Sequence, residues 1–191
     1  NCGLECDAIV EDDPPAYPYE SRFELDELTA EGYTTLFQFQ RGRVKHREIF
    51  GPVRLHHGLS RIRELQSNYL LARVEGRIVG AVGFTIDDVE KTLRIFELIS
   101  LDESPIRFLL SEVERLWAEE RGIEYMEVDV SAYAPRMQRT IMQLGYLPAA
   151  NITAMVFHEV VRLDGIRMVR LVGPLSKRPP RGITEVEAVG E

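Results

Sequence analysis

The sequence predicts an α+β fold built on a mixed, mostly antiparallel sheet with one parallel strand–helix–strand crossover. Three observations lead to this prediction. Two β-rich runs within residues 68–87 are joined by a Glu-Gly turn, which predicts an antiparallel hairpin. Residues 93–132 have the pattern of a strand, a helix and a strand, which predicts a right-handed parallel crossover. A second hairpin is predicted within residues 152–172.

The first third of the chain gives the weakest signals. Residues 1–32 are acidic and carry three prolines within residues 14–18, which exclude a helix or a central strand there. We interpret them as an arm packed on the domain or as a linker from an upstream region. Residues 33–40 alternate roughly and predict a strand, and the apolar spacing of residues 52–66 fits one helix or two short ones.

The middle of the chain is the clearest part. The runs at 68–75 and 77–87 form the predicted first hairpin, and Gly80 and Gly83 inside the second run indicate a bulge or a close approach of the backbone. Residues 93–101 are apolar on both faces, which predicts a central strand.

A helix is predicted next, with Ser104 as its N-cap, Pro105 at its first position and Gly122 after its end. Residues 125–132 alternate between apolar side chains and carboxylates, which predicts a strand with one buried face. A short helix is predicted over residues 134–144.

The second predicted hairpin has strands at 152–161 and 166–172, joined by a turn at 163–165. Residues 173–191 are aperiodic and are expected to be a flexible tail. We therefore divide the chain into an arm or linker at 1–32, one domain at 33–172, and the tail.

Composition limits the classes of function. The chain has 191 residues, 45% of them hydrophobic, and a formal net charge of −8, which argues against general nucleic-acid binding. No apolar run approaches the ~20 residues of a membrane helix, and no signal-peptide pattern is present. We expect a cytoplasmic protein without a nucleic-acid or membrane partner.

The potential metal ligands do not form a recognisable set. Cys2 and Cys6 are the only cysteines, so a disulfide scaffold and a Cys-rich zinc site are both excluded. The adjacent His56 and His57 point in different directions, and His158 alternates with valines on a predicted strand. We expect no metal site.

Positive charge is concentrated within residues 41–77, which hold nine Lys and Arg side chains against three Glu. Such a segment could attract an anionic ligand or an acidic carrier protein. The alternative is a set of solvated charges that flank the strands, which is the usual arrangement at a protein surface.

Three segments carry a resemblance to a known family: residues 69–83 (YLLARVEGRIVGAVG), 108–122 (FLLSEVERLWAEERG) and 134–147 (APRMQRTIMQLGYL). Their order and spacing resemble the GNAT superfamily of acyltransferases over a little over half of the chain. The resemblance implies a GNAT-type sheet that splits between the strands at 93–101 and 125–132.

The resemblance also implies how an acyl thioester binds. Its pantetheine lies in the split and bonds to backbone groups as an added strand would, and its pyrophosphate lies at the N-terminus of the following helix. The residues that match these positions are Ile99, Ser100 and Leu101 along the strand, and Ser104, Ile106 and Arg107 at the helix.

The sequence departs from the family pattern at the phosphate end. Residues 101–107 contain no glycine, whereas the family has a glycine-rich loop there. Asp102 and Glu103 would repel a pyrophosphate, and their simplest role is at the helix start. Arg107 compensates only in part, so a carrier-protein thioester, which has no pyrophosphate, fits this loop better than CoA.

The sequence also departs from the family at the acid. Ile141 occupies the position at which many members have a Tyr that protonates the leaving thiolate, and Ala134 replaces an Asn that often begins the helix. Tyr133 and Tyr146 lie nearby in the sequence and could substitute for that acid. Packing is the more usual role of such tyrosines.

Glu97 is the candidate general base. It aligns by period two with Leu93, Ile95, Ile99 and Leu101, and a carboxylate on an apolar face is costly unless it is paired. Burial disfavours its charged form, which suits a base, and several GNAT enzymes use a Glu on this strand. The alternative is a structural Glu97 paired with an Arg.

We expect an N-acyltransferase-like protein, with an acetyl-CoA-type or carrier-bound acyl thioester as cosubstrate, an amine acceptor and no permanently bound cofactor. The alternative is a catalytically inactive GNAT-like module that senses a ligand or scaffolds a larger protein. A homodimer is also expected, through the exposed edge of the strand at 166–172.

Overall fold

A computed structural model describes residues 14–28, 48–50, 66–118, 121–158 and 161–172. Several predictions fall outside these residues: the strand at 33–40, most of the helical segment at 52–66, the tail at 173–191, and most of the basic segment. Cys2, Cys6, His56 and His57 also lie outside them.

Among the described residues, one sheet of eight strands carries two helices. In chain order the elements are β1 (Glu24–Glu27), β2 (Ile49–Phe50), β3 (Gln66–Val74), β4 (Arg77–Asp87), β5 (Thr92–Ser100), α1 (Ser104–Val113), β6 (Tyr125–Ser131), α2 (Pro135–Gln143), β7 (Leu147–His158) and β8 (Val161–Leu171). The strand order across the sheet is β1-β3-β4-β5-β2-β6-β8-β7.

The predicted fold class is confirmed. Strands β5 and β6 are parallel and flank α1 in the chain, and the other paired strands are antiparallel. The first hairpin turns at Glu75-Gly76, where both residues have positive φ values of 50° and 74°. Strand β1 was not predicted, because a strand of acidic residues at the sheet edge gives no apolar alternation.

Two hydrophobic clusters pack on opposite faces of the sheet. The main cluster holds the buried residues of α1 and α2 against β3 to β6, including Leu93, Ile95 and Val128. The second is small and consists of Leu71, Ile78, Ala81 and Ile99. Both helices therefore lie on one face, and none of their residues belongs to the second cluster.

The predicted turn of the second hairpin is wrong. Residues 163–165 lie inside β8, where Gly165 pairs with Ile152 and Ser131. Its Cβ would lie 2.7 Å from the Met155 sulfur, so glycine serves a close approach between strands. The Asp164 carboxylate accepts the Ala154 N–H at 2.7 Å, at an irregularity of the β7–β8 register, so the Asp-Gly pair supports a bulge.

The predicted free edge is also wrong. Strand β8 lies between β6 and β7, so the edge strand at this end of the described sheet is β7. A second copy that added a strand at this end would pair with β7, where Leu147 is 68% exposed.

The start of the first helix differs from the prediction as well. Glu103 is the N-cap, Ser104 is the first helical residue, and no side chain caps the helix. The Ser104 N–H instead donates to the Asp102 carboxylate at 2.9 Å. The α-helix ends at Val113 and continues as a wider π-turn over Glu114–Ala118, and Gly122 follows with φ +63°.

No helix in the described part of the chain is long and apolar enough to cross a membrane. Within the same residues, no group of three His, Cys, Asp or Glu side chains is arranged to hold a metal ion.

Candidate active site

The sheet splits between its two parallel strands. Residues Thr92–Ile95 of β5 pair with Tyr125–Val128 of β6, and the described pairing between these strands ends there. Strand β2 enters where they part, because Phe50 pairs with Glu97 on one side and with Asp129 on the other. The split therefore opens after Ile95, and the chain's own backbone lies at its narrow end.

Glu97 is a buried carboxylate beside this split. It is 7% exposed, and the Tyr69 hydroxyl donates to its Oε2 at 2.9 Å. Tyr69, Gly83 and Glu97 are neighbours across β3, β4 and β5. A Cβ at Gly83 would lie 2.7 Å from the Tyr69 ring and 2.8 Å from the Phe96 ring, so only glycine leaves room for this contact. The Glu97 carboxylate is thus oriented by a neighbouring side chain.

The face on which Glu97 lies differs from the prediction. Leu93, Ile95 and Leu98 belong to the main cluster, whereas Ile99 belongs to the second cluster, against which Tyr69 packs. The β4–β5 register shifts between Gly83 and Phe84, and this bulge breaks the period of two. Glu97 therefore points to the face opposite the helices rather than to the face of Leu93 and Ile95.

A network of charges lies on the same face, next to the split. Asp129 is 1% exposed and accepts a bond from Arg94 at 2.7 Å and two from Arg167 at 2.8 and 2.9 Å. Glu127 lies 3.3 Å from Arg94 and 3.7 Å from Arg167. The hydrogen bonds to Asp129 raise the pKa of Arg167 above its usual range. The network joins β5, β6 and β8 where the sheet begins to split.

This network was not predicted from the sequence. Alternation correctly placed Glu127 and Asp129 opposite the apolar face of β6, but their partners are distant in the chain. Arg94 lies 35 residues before Asp129, and Arg167 lies 38 residues after it. The signal in the sequence that could have indicated the network is Asp129 itself, an acidic residue on a strand rich in apolar residues.

The start of α1 is acidic and already engaged. Glu103 bonds to Arg136 of α2 at 2.7 Å, and Arg107 donates to Gln143 at 2.9 Å. The Arg22 guanidinium lies 3.3 Å from the Ser104 hydroxyl oxygen. A shallow pocket of about 360 Å³ lies here, lined by Pro18, Glu20, Arg22, Asp102, Glu103 and Ser104.

These residues do not fit a pyrophosphate. The pocket carries three carboxylates against one guanidinium, and Pro105 has no N–H to donate. Arg107, the predicted compensating cation, is directed to Gln143 and to the Tyr17 carbonyl oxygen. A ready anion site needs free N–H groups and little opposing charge.

The predicted thioester-binding residues of β5 and α1 differ in their surroundings. Ile99 and Ile106 are buried in different clusters, so only their backbone groups are candidates for ligand contacts. Ser100 is fully buried, and its hydroxyl has no hydrogen-bond partner among the described residues. Leu101 is 39% exposed, and its N–H donates to the Val79 carbonyl at 3.0 Å.

The two candidate acids lie in unlike places. Tyr133 is 69% exposed on the turn after β6. Tyr146 is 3% exposed, and its hydroxyl lies 3.8 Å from the Met126 sulfur, a weak acceptor. Burial raises the pKa of Tyr146 above its usual range, so its hydroxyl holds its proton. Ile141 is fully buried in the main cluster. These positions favour packing roles for Tyr146 and Ile141.

We expect the Tyr146→Phe variant to lose less stability at alkaline pH than the unaltered protein loses. An unfolded tyrosine ionises near pH ~10, whereas Tyr146 stays protonated when folded because its pKa is raised. The free energy of unfolding therefore contains the full contribution of this hydroxyl below pH ~10. That contribution decreases as the pH rises, by about 1.4 kcal/mol at pH ~11 for one such group. Chemical denaturation at about pH 8 and about pH 11 measures this loss, and the variant should lose that much less.

Burial also raises the pKa values of Tyr17 and Tyr125, so these two residues still cause part of the loss of stability at alkaline pH in the variant. An equal loss in Tyr146→Phe and in the unaltered protein would contradict the buried position of the hydroxyl.

The N-terminal arm, defined as residues 14–23, packs on both helices. Tyr17 is 2% exposed, its N–H donates to the Thr140 hydroxyl at 2.9 Å, and its own hydroxyl donates to Glu48 at 2.9 Å. The Arg136 guanidinium lies 4.4 Å from the Tyr17 ring centre and donates to the Pro15 carbonyl at 3.0 Å. The arm thus connects α2 with the residue that precedes β2.

No family model and no curated protein matches this sequence. Solved structures do match. A dodecameric spermidine N-acetyltransferase from Vibrio cholerae superposes with a TM-score of 0.64 at 11% identity, over 80% of this chain and 95% of that one. The ribosomal-protein-S18-alanine N-acetyltransferase from Escherichia coli gives 0.60 at 12% identity, over 78% and 93%. These similarities show that the chain has the fold of the GNAT acetyltransferases.

Proposed function

We propose that this chain, with its GNAT fold, is an N-acyltransferase-like protein that moves an acyl group from a thioester to an amine. The observation that carries the proposal is Glu97. It is a buried carboxylate, oriented by Tyr69, at the point where the two parallel strands part. The named activities of the structural neighbours, N-acetylation of spermidine and of an alanine, support the same class of reaction.

The proposed reaction is a direct displacement. The amine nitrogen attacks the thioester carbonyl, the C–N bond forms, and the C–S bond breaks. Glu97 accepts the proton that the amine loses, and the leaving thiolate takes a proton from water. The Leu101 N–H is already donated to the Val79 carbonyl, so the backbone N–H of the neighbouring Ser100 is the group that would polarise the carbonyl oxygen. The buried Tyr146 hydroxyl does not favour the role of acid for the thiolate, and the exposed Tyr133 on the turn after β6 is the alternative to water as the proton donor.

The donor we favour is an acyl group on carrier-bound pantetheine. The three carboxylates that line the pocket beside the start of α1 oppose a pyrophosphate, which CoA has and a carrier-bound pantetheine lacks. Acetyl-CoA is the second donor of this proposal. No permanently bound cofactor is required. A cytoplasmic location and a homodimer, now through the edge of β7, also belong to the proposal.

The test is an acyl-transfer assay with two donors, acetyl-CoA and an acylated carrier protein. The acceptors are a polyamine, a peptide with an N-terminal alanine, and a panel of simple primary amines. We expect an N-acylated product by mass spectrometry, formed faster from the carrier-bound donor. Absence of product with every pair of donor and acceptor would overturn the proposal.

A second candidate function is a GNAT-like module without catalytic activity. The observation that favours it is β2, which lies at the narrow end of the split. A thermal-shift measurement separates the two, because a ligand that binds only the native state stabilises it. A rise in Tm with an acyl-pantetheine donor supports the transferase. No shift with any thioester favours the inactive module.

A further inference from the structure

The narrow end of the split is filled by backbone from elsewhere in the chain. Ile49 pairs with Val130, Phe50 pairs with both Glu97 and Asp129, and the Ser131 N–H donates to the Glu48 carbonyl at 2.9 Å. β2 therefore bridges the two diverging strands. It uses the same backbone edges that an extended ligand would need.

Within the described part of the chain, two anchors hold β2 in place besides its backbone pairing. Its described side-chain anchor in the main cluster is Ile49, which is 1% exposed. Its second anchor is the hydrogen bond from the Tyr17 hydroxyl to Glu48. The described strand has two residues, Ile49–Phe50, so its described pairing with β5 and β6 consists of a short run of backbone bonds.

The arm holds this strand from outside the sheet. Tyr17 is fixed by Thr140 and by the Arg136 guanidinium over its ring, both on α2. The arm, α2 and β2 are thus linked through one tyrosine. Loosening the Tyr17 hydroxyl bond weakens β2 without altering a residue that lines the split.

We infer that β2 is an internal competitor of the acyl thioester. The backbone of residues 48–50 lies where the acyl end of a donor must reach Glu97, so seating of β2 and productive donor binding exclude each other. This inference rests on the proposed function and adds a way in which β2 regulates donor binding. The donor, an acylated pantetheine, carries amide groups that can replace the backbone bonds of β2 along β5 and β6. Release of Tyr17 from Glu48 then increases the fraction of chains that can bind a donor.

The first test locks the strand by a disulfide. Because the Ser131 N–H bonds to the Glu48 carbonyl, Ile49 and Val130 form the alternate, non-hydrogen-bonded pair. The Cα atoms of such a pair lie about 4.5 Å apart, within the range that a disulfide spans. We would make Ile49→Cys with Val130→Cys in a background that also carries Cys2→Ala and Cys6→Ala.

The locked and unlocked forms are compared in donor thermal shift and in acyl transfer. We expect the oxidised form to show neither. The reduced form, in which Ile49 no longer anchors β2 in the main cluster, should show both at or above the level of the background protein. Equal binding and transfer in the two forms overturns the competition but leaves the proposed function standing. No binding and no transfer in the background protein itself, with its melting transition intact, overturns the proposed function and the inference together.

The second test loosens the strand by the removal of one hydroxyl group. Tyr17→Phe removes the bond to Glu48, and the free energy of one such bond corresponds to an apparent Kd for the donor lower by about 2- to 10-fold. The matched control is Tyr19→Phe, on the same arm, where the side chain is 50% exposed and packs on Phe108. An unchanged or weaker Kd in Tyr17→Phe, or an equal gain in the control, contradicts the inference.

Discussion

Replacement of Glu97 by Gln is expected to lower acyl transfer by about 10²- to 10⁴-fold, which is the usual contribution of a positioned general base. The glutamine keeps the size of the side chain and an oxygen that can accept the Tyr69 hydroxyl, so the fold should persist. What it loses is the capacity to take a proton from the amine. The measurement is the initial rate of product formation with the best pair of donor and acceptor.

Glu112→Gln is the matched control for this variant. Glu112 is 8% exposed, close to the 7% of Glu97, but it lies on α1 and bonds to Arg115. Loss of a buried carboxylate as such should affect both variants alike, whereas loss of the base affects only Glu97→Gln. Comparable rates in the unaltered protein and in Glu97→Gln, with transfer established, would falsify the role of Glu97 and leave it a structural partner of Tyr69.

The largest effect on stability is expected from Asp129→Ala. This change removes a carboxylate whose side chain is 2% exposed and leaves Arg94 and Arg167 without their shortest bonds. Breaking a buried ion pair by removing one partner costs about 3–5 kcal/mol. Glu127 stays within 3.3 and 3.7 Å of the two guanidinium groups, so we expect the lower end, about 3 kcal/mol. The free energy of unfolding from urea titrations measures it.

Asp26→Ala provides the comparison. Asp26 also bonds to an arginine, Arg73, at 2.9 Å, but its side chain is 49% exposed. Exposed pairs contribute about 0–1 kcal/mol. Similar losses in the two variants would mean that the Asp129 network contributes no more than a surface ion pair does, and that it does not hold the strands together at the split.

Much of the fold could be predicted because its signals are local. The hairpin of β3 and β4 follows from a glycine turn between two β-rich runs, and the crossover follows from a strand, a helix and a strand in sequence. Gly83, which predicts a bulge or a close approach, lies at a register shift and at a close approach. The sequence signal for each of these features is carried by residues within a few positions of one another.

Local signals failed where distant parts of the chain meet. Asp164-Gly165 is a residue pair typical of a turn. In the fold it lies beside a bulge, where the Asp164 carboxylate accepts the Ala154 N–H and Gly165 leaves room for Met155. Ser104 is a residue type that favours the N-cap position, but its N–H donates to the Asp102 carboxylate and it becomes the first helical residue. In both cases the competing partner decided which of two plausible local structures formed.

Short-range patterns were sufficient to predict the first hairpin, the crossover and a carboxylate at Glu97, because alternation and turn residues act over short distances. The direction in which Glu97 points depends on the folded sheet, since one bulge reverses the face of every later residue in the strand. The tertiary structure also decided what lies in the split. Tyr17 and Glu48 are 31 residues apart, and their contact and the pairing of β2 arise only once the sheet has formed.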